Sequence, residues 1–213
     1  MIIKVCGMRE PHNIRAVEQM AAPDWMGFIC YERSPRFVAT RPAYMPCNGI
    51  KRVGVFVNPT LDYVALRARE LELDMIQLHG SETLDFCAKV KSALQLPIIK
   101  AVSISAASDL PAQAVAPDVI DYYLFDTKCS GYGGSGQQFD WSILSHYHSN
   151  KPFLLSGGIG PDDAAAISAM SHPRCIGIDL NSRFETAPAI KDTSSLTKFI
   201  TYIRNHTQSS HII

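Results

Sequence analysis

Short apolar runs recur along this chain at a regular spacing. They are Ile2–Cys6, Trp25–Cys30, Arg52–Val57, Met75–Leu78, Ile98–Ile104, Val119–Phe125, Phe153–Leu155 and Cys175–Leu180. Most are continuous rather than alternating, the pattern of parallel strands covered on both faces. Between them the spacing predicts amphipathic helices. Pro11–Met20 places Ile14, Val17 and Met20 on one stripe; Leu61–Leu73 does the same with Leu61, Val64, Ala65, Leu66 and Leu71. Glu82–Leu94, Asp162–Met170 and Leu196–Ile203 follow, the second opening on Pro161 and two acidic residues, a favourable helix start. Thr40–Pro46 and Ala106–Pro117 carry prolines, and only short or irregular helices are expected there.

Strict strand–helix alternation argues for a parallel α/β fold. Eight units favour a closed (β/α)₈ TIM barrel over its main rival, an open doubly wound sheet. With 213 residues and 46% hydrophobic content, the expectation is one domain over 1–213, with a polar, frayed tail after His206. Twenty Lys and Arg balance twenty Asp and Glu, so no global field gathers nucleic acid or acidic lipid. An anionic ligand must be held by local groups. The N-terminus lacks a basic segment followed by a long apolar one, so no signal peptide or membrane span is expected. The six cysteines are scattered and form no CxxC pair. Neither a metal site nor a disulfide framework is expected, and a cytoplasmic location is the simplest.

In a barrel of this kind, chemistry sits at the C-terminal strand ends. Those ends carry Cys6-Gly7, Arg33-Ser34-Pro35-Arg36, Asn58, His79-Gly80, Asp126-Thr127, Ser156-Gly157-Gly158 and Asp179-Leu180-Asn181-Ser182-Arg183. The glycines after strand seven let backbone N–H groups approach an anion, and the loops after strands seven and eight commonly form a phosphate site. Gly131–Gly136 is a second glycine-rich stretch, suited equally to a mobile lid or an ordinary solvated loop. Cys6 faces the mouth, where a thiolate could abstract a proton; by position alone a small buried hydrophobe is the better reading. Cys30, Cys87 and Cys175 belong to apolar patterns and are assigned to the core. Asp126 ends an apolar strand, and desolvation there favours the neutral, proton-donating form. Pairing with Lys128 or capping a loop is its alternative. Asp179 reads as a structural carboxylate, Arg36 as a fork for a carboxylate or a surface ion pair, and His79 as catalytic or backbone-satisfying.

Taken together, these motifs resemble the phosphoribosylanthranilate isomerase family of tryptophan biosynthesis. Lys4-Val5-Cys6-Gly7, Gly27-Phe28 with Ser34-Pro35-Arg36, Gly54-Val55-Phe56-Val57-Asn58, Gln77-Leu78-His79-Gly80, Asp126 and Leu155-Ser156-Gly157-Gly158-Ile159 fall in the family's order. The resemblance implies a cofactor-free Amadori rearrangement of N-(5-phosphoribosyl)anthranilate to 1-(2-carboxyphenylamino)-1-deoxyribulose 5-phosphate. It implies Asp126 as general acid, Cys6 as general base and Arg36 on the anthranilate carboxylate. Backbone groups around Gly157, Gly158, Ser182 and Arg183 would hold the phosphate. No metal, nucleic acid or membrane is implied, and the protein would be a monomer or homodimer. The chain departs from the family pattern at Arg183 and Ala189, where glycines are usual, and at Ser135, where Thr is common. Two rival readings are an isomerase of the related histidine-pathway aminoaldose and a catalytically impaired phosphate-binding barrel. Cys6 in place of a first-strand acid argues against the former.

Overall fold

The computed structural model describes residues 1–111, 118–127 and 138–207. The glycine-rich stretch Gly131–Gly136 with Ser135, Lys128 and the tail beyond 207 lie outside the described residues. Eight parallel strands close into a barrel in sequential order. They are β1 (Ile2–Val5), β2 (Trp25–Ile29), β3 (Lys51–Phe56), β4 (Met75–Leu78), β5 (Ile98–Ile104), β6 (Tyr122–Thr127), β7 (Phe153–Leu155) and β8 (Cys175–Leu180). β1 pairs with both β2 and β8, which excludes the open doubly wound sheet.

Closure gives each strand an inner and an outer face, and side chains alternate between them. Outward residues such as Val5, Phe28, Phe56, Leu78, Phe125, Leu155 and Leu180 pack in the main core shared with the helices. Inward residues Trp25, Val53, Met75, Ile99, Ala101, Leu124 and Leu154 form a second apolar cluster. Two residues further along four of the strands, the inward series turns polar: Gln77 follows Met75, Ser103 follows Ala101, Asp126 follows Leu124 and Ser156 follows Leu154; on β3 it stays apolar, Val55 following Val53. The barrel is therefore sealed by apolar side chains below and lined by polar ones at its C-terminal mouth.

Outside the barrel run α1 (Pro11–Met20), α2 (Leu61–Leu71), α3 (Leu84–Leu94), α4 (Ala164–Ala169) and α5 (Thr193–Thr207). Pro11 opens α1, while the Thr60 and Thr83 hydroxyls accept the Tyr63 and Phe86 N–H groups at 3.2 Å. In α5, Leu196, Phe199, Ile200 and Ile203 are all buried, as their spacing predicts. The expected stripes of α1 and α2 are corrected in part. Met20 is 55% exposed and Leu66 49%, whereas Glu18 and Arg67 are buried. Cys30 and Cys87 are core residues, but Cys175 is only half-buried.

No helix forms over residues 40–46; the β2–β3 connection is irregular. Buried Glu18 replaces helical hydrogen bonding there. Its carboxylate accepts from Tyr44 Oη, from the Cys47 N–H at 2.9 Å and from Asn48 Nδ2 at 2.9 Å. Of the segment after β5, the described part forms a single 3₁₀ turn, Ala107–Asp109. Among the described residues, three short elements escaped the sequence reading. Two are 3₁₀ stretches, Trp141–His146 and Ser182–Phe184; the third is a hairpin of β9 (Glu185–Ala187) and β10 (Ile190–Lys191) beyond β8.

Burial opposes the Glu18 charge, but hydrogen bonds from Tyr44, Cys47 and Asn48 outweigh it and hold the carboxyl below its ordinary value. A carboxyl depressed on folding stabilises the fold above its unfolded titration range and loses that contribution on acidification. Glu18→Gln is expected to cost about 1–3 kcal/mol near neutral pH. The difference from wild type shrinks as pH falls through the carboxyl range, which urea denaturation at several pH values will measure.

Candidate active site at the barrel mouth

The strand ends enclose a cavity of about 310 Å³. Cys6, Arg36, Asp126, Gly157, Gly158, Ser182 and Arg183 all line it, with His79, Ser103, Asp179 and Asn181. Asn58 turns away: its side chain accepts from Ser81 N at 2.8 Å and braces the β3–β4 loops.

Cys6 directly follows β1. Its N–H donates to Leu180 O at 2.8 Å, which pins it beside the end of β8. The thiol is nearly buried, at 4% exposure. The chain then turns at Gly7, φ +76°, where a Cβ would lie 2.7 Å from Arg36 Cδ and 2.8 Å from Asn181 Oδ1. Beneath Cys6, Lys4 and Asp179 form a fully enclosed ion pair, Nζ to Oδ2 2.9 Å. Asp179 Oδ1 has no partner among the described residues. Burial pushes the Cys6 thiol up from its ordinary value; Lys4 and Lys191 oppose this, and Asp179 reinforces it. Burial works against the Lys4 charge too, but Asp179 and Cys6 outweigh it and raise its pKa.

Asp126 stands on β6 across the mouth. Oδ1 accepts from Thr127 N at 2.9 Å, and Oδ2 lies 3.2 Å from His79 Nε2. Gln77 Nε2 lies 2.8 Å from His79 Nδ1. An amide nitrogen can only donate, so Nδ1 accepts and Nε2 carries the proton toward Asp126. His79 thus orients a side chain of the site rather than satisfying backbone groups.

Arg36 is already engaged. Its Nε donates to both Glu185 oxygens at 2.9 and 3.0 Å, and its Nη2 donates to Oε2 at 2.6 Å. Nη1 has no partner among the described residues. Lys191 Nζ reaches Glu185 Oε1 at 2.5 Å and Asn181 Oδ1 at 2.7 Å. Burial opposes the Glu185 charge, yet Arg36 and Lys191 outweigh it and keep the carboxyl below its usual range. The β9–β10 hairpin, absent from the sequence reading, is what delivers Glu185 and Lys191.

At the opposite wall, Gly157 and Gly158 have φ of +90° and +67°. A Cβ on Gly157 would sit 2.6 Å from Thr127 N and 3.0 Å from Asp126 Oδ1, so β6 requires glycine there. The backbone N–H groups of Gly158, Ser182 and Arg183 donate to no acceptor among the described residues. Arg183 lies in a short 3₁₀ turn, Ser182–Phe184, and is not among the residues of positive φ, so its departure from glycine costs no strain. Its side chain crosses Gly160, with Nε 3.1 Å from where a Cβ would be. Ala189 differs: φ is +67°, a conformation costing a non-glycine residue about 1–2 kcal/mol.

Sequence reasoning missed Lys4, Gln77, Glu185 and Lys191. For the first two a signal existed. Lys4 and Cys6, like Gln77 and His79, stand two apart on one strand and therefore share a face. Among the described residues, no three His, Cys, Asp or Glu side chains are grouped as metal ligands would be. No described helix is long and apolar enough to cross a membrane.

Known proteins are similar to this chain in sequence and fold. The N-(5'-phosphoribosyl)anthranilate (PRA) isomerase family model matches residues 3–202. An N-(5'-phosphoribosyl)anthranilate isomerase of Phocaeicola vulgatus is 51% identical over 208 residues, covering 98% of this chain and 100% of that protein. The phosphoribosyl anthranilate isomerase of Thermotoga maritima superposes with a TM-score of 0.81 at 30% identity, over 96% of this chain and 100% of that one. A solved phosphoribosyl anthranilate isomerase in complex with reduced 1-(o-carboxyphenylamino)-1-deoxyribulose 5-phosphate superposes with a TM-score of 0.78 at 27% identity, over 96% and 100% of the two chains. The fold, the order of the strand-end motifs and these similarities together place the chain in the N-(5'-phosphoribosyl)anthranilate isomerase family.

Proposed function

We infer that this chain isomerises N-(5'-phosphoribosyl)anthranilate to 1-(2-carboxyphenylamino)-1-deoxyribulose 5-phosphate in tryptophan biosynthesis. One observation carries the reading. A thiol, a carboxyl, an arginine fork and unpaired backbone donors all line a single cavity of about 310 Å³. The substrate presents complementary groups: a carboxylate at one end, a phosphate at the other and the reacting carbons between them.

The phosphate binds the N–H groups of Gly158, Ser182 and Arg183, with the Arg183 side chain adding positive charge. Arg36 Nη1, the part of the fork that Glu185 leaves open, donates to the anthranilate carboxylate. Asp126, oriented by His79, protonates the ribose ring oxygen. The C1–O bond breaks as the anthranilate nitrogen lone pair forms an iminium. That cation acidifies C2. Cys6 removes the C2 proton, the C–H electrons form the C1–C2 double bond, and the iminium π electrons return to nitrogen. The enolamine then tautomerises to the ketone. Each step moves protons and electron pairs within one substrate, so the net reaction is an isomerisation. The chain acts as one barrel domain on a small phosphorylated molecule, in the cytoplasm, as a monomer or homodimer and without nucleic acid or membrane.

Purified protein mixed with freshly prepared phosphoribosylanthranilate should quench its fluorescence; no turnover by folded protein refutes the reading. Cys6→Ala and Asp126→Asn should each lower kcat by about 10²–10⁴-fold, the usual worth of a general acid or base, while circular dichroism stays unchanged. Arg183→Gly should raise KM with little change in kcat, and a KM left at the wild-type value would remove Arg183 from the phosphate grip.

A further inference from the structure

Stability alone does not explain the Lys4–Asp179 pair. Lys4 is fully buried and Asp179 is 6% exposed. Enclosed ion pairs of this kind can often be replaced by apolar residues at little cost or with a gain. Its position suggests another purpose. Lys4 and Cys6 point inward from the same strand, one layer apart. On β2, Gly27 opens the space where they meet. A Cβ there would lie 2.7 Å from Cys6 Sγ and 3.2 Å from Lys4 Nζ. Asp179, reaching in from β8, grips Lys4 with Oδ2 at 2.9 Å and leaves Oδ1 unpartnered.

We propose that Lys4 is a positioning residue for the reaction: Asp179 fixes its ammonium beneath Cys6, where it supports the thiolate that removes the C2 proton. This rests on the reading of Cys6 as the base. Three charged groups bear on the thiol from the surrounding strands. Lys4 and Lys191 favour its ionised form and Asp179 disfavours it, Lys4 carrying more weight than either. Lys191 is held by Glu185 and Asn181 on the far side, and Glu185 is shared with Arg36. Asp126 and His79 bear on Asp179. Burial still holds the thiol above its ordinary value, and Lys4 offsets part of that rise.

Lys4 and Asp179 therefore act on Cys6 with opposite signs, whereas a merely structural pair would not move the thiol in two directions. The test is the pH dependence of Cys6 alkylation by iodoacetamide in the full-length protein, read by peptide mass spectrometry. Lys4→Met should shift the thiol's titration to higher pH. Below its midpoint, the rate should fall about tenfold or more, the usual effect of removing one adjacent charge. Asp179→Asn should shift it to lower pH and speed the reaction. Should Lys4→Met fail to fold, the neutral pair Lys4→Met with Asp179→Asn replaces it. It should titrate above Asp179→Asn alone, because the two differ only by the Lys4 charge. Titrations that do not move, or that move the same way in both single variants, overturn the proposal. The readout does not require turnover. A correct pair of shifts in a protein inactive toward phosphoribosylanthranilate would sink the substrate assignment and leave the tuning standing.

Discussion

Every strand of a closed barrel must bury both of its faces, and the remaining features of this protein depend on that constraint. The outer face is mostly apolar because helices and loops cover it, and Lys100, its charged exception on β5, is paired with Glu82. The inner face cannot be uniformly apolar, because the cavity at the mouth must hold a charged molecule. The chain resolves this by position along the strand. Trp25, Val53, Met75, Ile99, Ala101, Leu124 and Leu154 seal the interior, and on β4, β5, β6 and β7 the next inward residues, Gln77, Ser103, Asp126 and Ser156, are polar. A site made this way sits on rigid backbone, which suits a reaction in which donors and acceptors must be aligned before any proton moves.

Polarity inside a barrel has a cost, and this structure meets it by pairing. Lys4 is matched by Asp179, Arg36 and Lys191 share Glu185, and His79 bridges Gln77 and Asp126. Burying a charge without a partner is far more expensive than burying a pair. Two groups keep an atom without a partner among the described residues: Asp179 Oδ1, which is buried, and Arg36 Nη1. Small residues complete the design. Gly27 makes room for Lys4 and Cys6, and Gly157 lets the end of β6 approach the β7 loop.

Where the fold departs from eight regular strand–helix units, specific contacts replace the missing helices. The β2–β3 connection is held by Glu18 on α1, not by a helix of its own. The β9–β10 hairpin beyond β8 is short and carries a strained Ala189, yet it supplies two of the charged groups around Arg36. Function-bearing side chains here come from irregular segments as well as from strand ends.

Eight strands were legible in the sequence because buried parallel strands are continuous apolar runs, and most boundaries agree within a residue or two. Five α-helices followed from periodicity, but their faces were less legible. Met20 and Leu66 read as buried and are exposed, because periodicity cannot register that Glu18 and Arg67 find hydrogen-bond partners that let them be buried instead. Cys6, Asp126 and the Gly157-Gly158 turn could be placed at the mouth from strand ends alone. Which residues share one cavity, and which charges neutralise each other, could not. Lys4 and Asp179 stand 175 positions apart, as Arg36 and Glu185 stand 149 apart. Local pattern determines strands, helices and the side from which each side chain points. Only closure of the barrel decides which of those side chains meet, because that depends on the register between strands and not on any one of them.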